Sequence, residues 1–304
     1  MNRAALGSAI SFPVIRCALF IGERAPGNSS CRKPGRHPLP EGFDVPVVET
    51  RHGPIEHVLI DGDPSRSPLV FLHGGLGCVA AWGRFPAAVA AATGRRALVY
   101  SRPGNGGSGP ATSPRTARYM HEHGQQFLPE LLDLLGIDNP VLIGHSDGGS
   151  TALLYASVRP AEAVVVMGPH LYFEEANRTG IEAARAAYEA GPLRRRLALV
   201  HDDPHGVFTS WSELWLSEEF RSWSIEDDLD VTAPVLMIQG DRDEYGTLAQ
   251  LDALQRVVRG PVRRLVPEGV DHYPHLVCPD LVIDAVTGFL AEHATGLPAT
   301  GGTR

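Results

Sequence analysis

The stretch VLIGHSDGGSTALLYA, residues 141–156, decides how the rest of the chain is read. It opens on the apolar run Val141-Leu142-Ile143, the start of a buried strand, and closes on a small-residue, helix-like run. Between them Ser146 sits in Gly144-His145-Ser146-Asp147-Gly148, a G-x-S-x-G pattern. Alone, that pattern recurs by chance. A strand before it and a helix after it give it a mechanical meaning. The serine then stands on a sharp strand-to-helix turn, and a Cβ at either glycine would strike a neighbouring element. The helix that follows points its positive end at the serine and favours an oxyanion there. Ser146 is therefore the candidate nucleophile, and the rest of the chain has to supply a base, an acid and oxyanion donors.

Working outward, short apolar runs alternate with helix-like stretches, the pattern of a mostly parallel sheet with helical crossovers. VVETRHGPIEHVLIDGD (47–63) reads as two strands around a turn, and PLVFLHG (68–74) as a buried strand entering a glycine loop. RALVYSRPGNGGSG (96–109), AVVVMGPH (163–170), PVLMIQGDRD (234–243) and VRRLVPEGVDH (262–272) repeat the strand-then-loop pattern. FPAAVAAATG (85–94), YMHEHGQQFLPELLDLLGI (119–137) and DLVIDAVTGFLAEHA (280–294) read as helices. Between Leu171 and Asp230 the alternation stops, and only helical patterns follow one another, as expected of a cap laid over the sheet's C-terminal edge. The expected organisation is a leader or linker over 1–44, core over 45–170, a helical cap over 171–230, core again over 231–295, and a tail over 296–304.

The chain has 304 residues, a formal net charge of −8 and four cysteines. The charge argues against non-specific nucleic-acid binding and does not penalise a neutral or cationic ligand. The scattered cysteines form no C-x-x-C pair and no disulfide framework, so a reduced setting is the default. No apolar run reaches membrane-spanning length. ALGSAISFPVIRCALFIG (5–22) invites comparison with an export signal, but Pro13 and Arg16 interrupt it and a basic Pro/Gly/Ser-rich stretch follows. A leader or a misplaced start codon is the preferred reading. A cytoplasmic location is expected, with export left open by the leader.

A triad in the order Ser, acid, His needs an acid and a histidine after late strands. Asp241, Asp243 and Glu244 follow one, and Asp271, His272 and His275 follow the next. With the strand–serine–helix turn and this order, the chain resembles the α/β-hydrolase fold family from about Val45 to His293. The resemblance implies an α/β fold with a central sheet flanked by helices and an inserted helical cap. It maps the acid to Asp243, with Asp241 as rival, and the base to His272, with His275 as rival. It implies an oxyanion hole made by the backbone N–H groups of Asp147 and Gly75, with Leu76 the alternative to Gly75 in LHGGLGC (72–78). His73 is expected to brace that loop, and the Asp147 carboxylate to turn away toward its helix terminus. SRPGNGGSG (101–109) is similar to a D-R-P-G-x-G-x-S stretch of the family, with Ser101 where Asp is usual and Asn105 where an aromatic is common.

Leu76, His170, Trp211, Trp215 and Tyr245 are the candidate substrate-contacting residues. His170 and Tyr245 sit at strand ends, where pockets form in open sheets. Trp211 and Trp215 share a helix face, serving either the core or a substrate. The His121-Glu122-His123 triplet lacks zinc-helix spacing and reads as a solvated face. No metal and no cofactor are expected. The partner expected is a small-molecule acyl substrate, with no nucleic acid and no membrane span, and the chain is a monomer or homodimer. The resemblance implies a serine hydrolase cleaving a carboxylic ester or thioester through an acyl-enzyme. A C–C bond hydrolase of ring-cleavage products, or a non-catalytic ligand-binding member of the fold, is the alternative. A peptidase ranks lower, because the HGGLG loop has Leu76 where proline iminopeptidases carry Pro and the cap shows no acidic cluster for an amine. Haloalkane dehalogenases and epoxide hydrolases carry Asp at the Ser146 position and are rejected.

Overall fold

The structure is a computed structural model of the chain and describes residues 47–111 and 114–293. The leader and tail anticipated at 1–44 and 296–304 lie outside the described residues. The strands are β1 (Val47–Thr50), β2 (Gly53–Ile60), β3 (Leu69–Leu72), β4 (Ala97–Tyr100), β5 (Val141–His145), β6 (Ala163–Met167), β7 (Val235–Ile238) and β8 (Val262–Leu265). They form one eight-stranded sheet in the order β1-β2-β4-β3-β5-β6-β7-β8. β1 pairs with β2 and β2 with β4 antiparallel, and every later pairing is parallel. The parallel part is what the alternation of runs predicted, and the whole is the α/β-hydrolase sheet arrangement that the resemblance implied.

The helices are α1 (Phe85–Thr93), α2 (Tyr119–Glu122), α3 (Leu128–Leu134), α4 (Asp147–Ala156), α5 (Glu175–Glu189), α6 (Pro192–Leu197), α7 (Pro204–Trp215), α8 (Ala249–Val257), α9 (Pro274–Val277) and α10 (Pro279–His293). Because side chains alternate along a strand, β5 and β6 feed both faces of the sheet. Leu142, Val164 and Val166 point to one face, into a core shared with Leu131 of α3, Leu153 of α4 and Leu254 of α8. Ile143, Val165 and Met167 point to the other, against Phe85 and Val89 of α1 and Val286 and Phe289 of α10. Both faces are covered, so the central strands are apolar throughout rather than alternating. Each fully buried Leu, Ile or Val contributes about 1.5–3 kcal/mol over its exposed state.

Between β6 and β7 the chain runs through α5, α6 and α7 and two short 3₁₀ turns at Glu219–Ser222 and Glu226–Asp228. An isolated bridge, Tyr172 with Ser224, ties the two ends of this block together. Trp215, Phe220 and Trp223 form its aromatic centre.

Two local expectations are corrected. The single helix expected over 119–137 is α2 and α3 joined by a π-helical turn, His123–Phe127. Pro129 cannot donate to the carbonyl four residues earlier and would crowd it, and the wider turn relieves that conflict. Nor are His121 and His123 a solvated face. His121 is buried and contacts Asp228 at 2.8 Å. His123 lies against Tyr119 and Phe127, and burial pulls its imidazole well below the ordinary value. The cause is close packing on α4: a Cβ at Gly124 would stand 2.7 Å from the Thr151 carbonyl. Among the described residues no helix is long and apolar enough to cross a membrane.

Candidate active site

β5 ends at His145 and α4 begins at Asp147, so Ser146 makes the whole turn between them. Its φ of 54° and ψ of −125° lie where side chains rarely go. Such a conformation costs about 1–3 kcal/mol and persists only when its surroundings over-determine it. Here the Ser146 N–H donates to Met167 O at 2.8 Å, and the Ser146 carbonyl accepts from Gly149 N at 2.8 Å. The flanking glycines allow the approach. A Cβ at Gly144 would stand 2.3 Å from Gly148 O, and one at Gly148 would stand 2.0 Å from Leu72 O.

Asp243 follows β7 and His272 follows β8, and the two meet. His272 Nδ1 lies 2.9 Å from both Asp243 oxygens. Tyr245 N–H and Gly246 N–H donate to Asp243 Oδ1 at 2.8 and 3.1 Å, and Gln239 Nε2 donates to Oδ2 at 3.2 Å. These bonds fix the carboxylate, and the carboxylate fixes the imidazole with its proton on Nδ1. Burial alone pushes Asp243 up, but the His272 charge, its hydrogen bond and the Tyr245 N–H outweigh this and hold the carboxyl below its usual range. Burial alone pulls His272 down, but the Asp243 charge and hydrogen bond outweigh that and raise it.

The rival residues sit elsewhere. Asp241 is exposed and accepts from Gly269 N–H at 2.6 Å, a loop-bracing contact. His275 is buried against Trp82 and Phe85, and burial followed by the His272 charge pulls it down to about 3. His145, between His272 and His275, is also pulled well down by burial and its histidine neighbours.

Ser146 and His272 line one cavity of about 50 Å³, together with Gly75, Leu76, Asp147, His170, Trp211, Trp215 and Tyr245. Every site residue singled out from the sequence except Asp243 is therefore on its wall, and Asp243 stands behind His272. The direct partner of the serine was not foreseen. Ser146 Oγ makes its hydrogen bond with His170 Nε2 at 3.3 Å, and among the described residues there is none between Ser146 and His272. Catalytic hydrogen bonds of this kind commonly tighten only when substrate is in place. Asn177 of α5 also lines the cavity and reaches His170 Nδ1 at 3.2 Å. Nothing in the sequence near Asn177 marks it apart from its place at the start of an amphipathic helix.

The loop after β3 is braced from behind. Arg102 N–H donates to His73 Nε2 at 2.9 Å, so His73 carries its proton on Nδ1, which donates to Gly74 O at 2.8 Å. Asn105 Nδ2 donates to Gly77 O at 2.9 Å and to Gly75 O at 3.3 Å, which explains a polar residue where an aromatic is common. Ser101 Oγ accepts from Val79 N–H at 2.8 Å and donates to Glu56. The Asp147 carboxylate departs from expectation. It is 1% exposed, and its Oδ2 accepts from Tyr119 Oη at 2.5 Å instead of turning to the helix terminus. The close approach of α2 to α4 puts that phenol beside it.

Comparison with known proteins agrees with this fold. A family model described as the alpha/beta hydrolase fold matches residues 67–190, the part that carries Ser146. The sn-1-specific diacylglycerol lipase ABHD11 of Mus musculus is 37% identical over 122 residues, which is 40% of this chain and 38% of that protein, so the chain matches well under half of that relative's length. A membrane phospholipase A described as a bacterial virulence factor superposes with a TM-score of 0.68 at 16% identity, over 84% of this chain and 87% of that one. A proline iminopeptidase of Mycobacterium smegmatis superposes with a TM-score of 0.58 at 22% identity, over 82% of this chain and 98% of that one. At these identities the structural likeness is one of fold.

Proposed function

The chain belongs to the α/β-hydrolase fold family, and from that premise we propose that it is a serine hydrolase cleaving a carboxylic ester or thioester through an acyl-enzyme. The observation that carries this reading is the strained Ser146 turn facing the same cavity as His272, whose Nδ1 is held at 2.9 Å by both Asp243 oxygens.

Ser146 Oγ attacks the acyl carbon while its proton passes to His272 Nε2. Asp243 keeps that nitrogen available and stabilises the imidazolium that forms. The carbonyl oxygen, now negative, is held by the N–H groups of Asp147 and Gly75. As the tetrahedral species collapses, the imidazolium returns the proton to the departing alcohol or thiol. Water then attacks the acyl-enzyme, His272 takes its proton, and the acid and Ser146 are released. His170, Leu76, Trp211, Trp215 and Tyr245 shape the acyl site, and the block from α5 to α7 acts as its cap. His272 suits the base role because His145, His170 and His275 are all pulled below the ordinary range by burial, whereas His272 is raised.

The test is labelling with a fluorophosphonate, followed by peptide mapping, beside turnover of p-nitrophenyl esters of increasing chain length. A label on Ser146, with label and turnover both lost in Ser146→Ala, is the expected result. No label and no turnover would overturn the proposal in favour of a ligand-binding member of the fold.

A further inference from the structure

A buried cation lies behind the loop after β3, and the acyl-transfer steps leave it unused. Arg102 follows the end of β4 and is 2% exposed. Its Nη2 donates to Gly74 O at 2.5 Å, while Nε and Nη1 have no hydrogen-bond partner among the described residues. A buried guanidinium without a hydrogen-bonded carboxylate is costly. Burial, then the Arg102 charge, pulls the neighbouring Arg115 below its ordinary value, while the Asp147 charge acts the other way. One carboxylate thus faces two guanidinium groups.

The atom that Arg102 grips decides what its charge can do. Gly74 O also accepts from His73 Nδ1 at 2.8 Å and from Gly77 N–H at 3.0 Å. A peptide unit is planar and trans, so its N–H points opposite to its C=O. With Gly74 O turned toward His73 and Arg102, the Gly75 N–H of the same peptide is directed the other way. It donates to no group among the described residues. This peptide stands beside the nucleophile, since a Cβ at Gly74 would be 3.1 Å from Ser146 Cβ. A cation on the carbonyl oxygen polarises the peptide and strengthens its N–H as a donor. Burial, with the Arg102 charge second, pulls His73 well below its ordinary value, so His73 stays neutral and Arg102 is the charged donor to that carbonyl.

Resting on the serine-hydrolase reading, we propose that Arg102 is a positioning residue for the oxyanion hole. It fixes the Gly74–Gly75 peptide and sets a positive charge behind the Gly75 N–H. The charge is costly before reaction and is relieved when the carbonyl oxygen becomes an anion. It therefore favours the tetrahedral species over the bound ester and acts on kcat rather than KM.

The test compares 1,1,1-trifluoropentan-2-one with pentan-2-one as inhibitors of wild type, Arg102→Gln and Arg102→Lys. In the first ketone Ser146 Oγ adds to the carbonyl carbon, its proton passes to His272 Nε2, and the carbonyl oxygen becomes the anion. The second binds with its carbonyl intact. Arg102→Gln should weaken the trifluoromethyl ketone by about tenfold to a hundredfold, less than the loss of an oxyanion donor itself, and leave pentan-2-one within about twofold. On a short p-nitrophenyl ester its kcat should fall by a similar factor with KM nearly unchanged. Arg102→Lys keeps the charge and should recover most of both losses. Equal weakening of the two ketones, a wild-type kcat in Arg102→Gln, or equal losses in the Gln and Lys variants would overturn the proposal. Should Arg102→Gln not fold, Arg102→Met is the second neutral variant and is read the same way. Ser146 labelling and turnover with no effect of Arg102→Gln removes the positioning role and leaves the hydrolase reading standing. Absence of label and of all turnover in the wild type removes both.

Discussion

His170 Nε2 lies 3.3 Å from Ser146 Oγ, and the tautomer of His170 can be read from its other side. Asn177 Oδ1 accepts from Glu174 N–H at 2.6 Å, and its Nδ2 donates to Tyr245 O at 2.5 Å and to His170 Nδ1 at 3.2 Å. The His170 proton is therefore on Nε2 and is offered to the serine oxygen. Burial, with the His272 charge second, pulls His170 down to about 4, so it stays neutral through the working range. The serine accepts from His170, which in the proposed mechanism leaves its own proton for His272.

His170→Phe should lower kcat by about tenfold, since a donor to the reacting oxygen is lost. Asn177→Asp should lower it as well, by accepting from Nδ1 and moving the ring proton off Nε2. Steady-state kinetics on a short p-nitrophenyl ester decides this. Wild-type kcat in both variants would show that the His170 contact is only packing.

The pH profile has a definite sign. His272 must be neutral to accept a proton, and the Asp243 contact raises it above its ordinary value. Activity should therefore climb with pH, on a limb centred above about 6.5. The limb should shift to lower pH in Asp243→Asn, measured on the residual activity. A limb below the ordinary histidine value in the wild type would contradict the raised state.

Asp243→Asn should reduce kcat by about 10⁴-fold, because an amide at that place allows the wrong imidazole tautomer. Asp241→Asn removes only an exposed brace to Gly269, and its kcat should stay close to wild type. Parallel assays separate the two. A severe Asp241→Asn would assign the acid role to the other carboxylate.

Two stability changes test the architecture apart from chemistry. Gly148→Ala forces a Cβ to within 2.0 Å of Leu72 O, and backbone cannot yield as a side-chain end can. Urea unfolding should show a loss of about 3 kcal/mol or more, at or beyond the upper end for overpacking. Glu162→Gln leaves the buried Arg95, now 2.6 Å from the Glu162 carboxylate, without its counter-charge. The expected loss is about 3–5 kcal/mol. Wild-type midpoints in both would refute the packing described.

What the sequence determined by itself was whatever a short local pattern governs. Buried parallel strands announce themselves as unbroken apolar runs, and a serine between closely spaced glycines, after a strand and before a helix, can adopt few geometries. Asp243 and His272 were legible because each follows a strand of one sheet, and parallel strands deliver their following loops to the same edge. Tertiary structure decided what depends on one helix facing another. Asn177 holds His170 because α5 lies across the cavity, His121 and His123 are covered because Gly124 lets α2 and the π-helical turn press on α4, and Asp147 turns inward because the Tyr119 hydroxyl meets it there. Those placements come from packing between segments far apart in the chain, and no local spacing of residues encodes them.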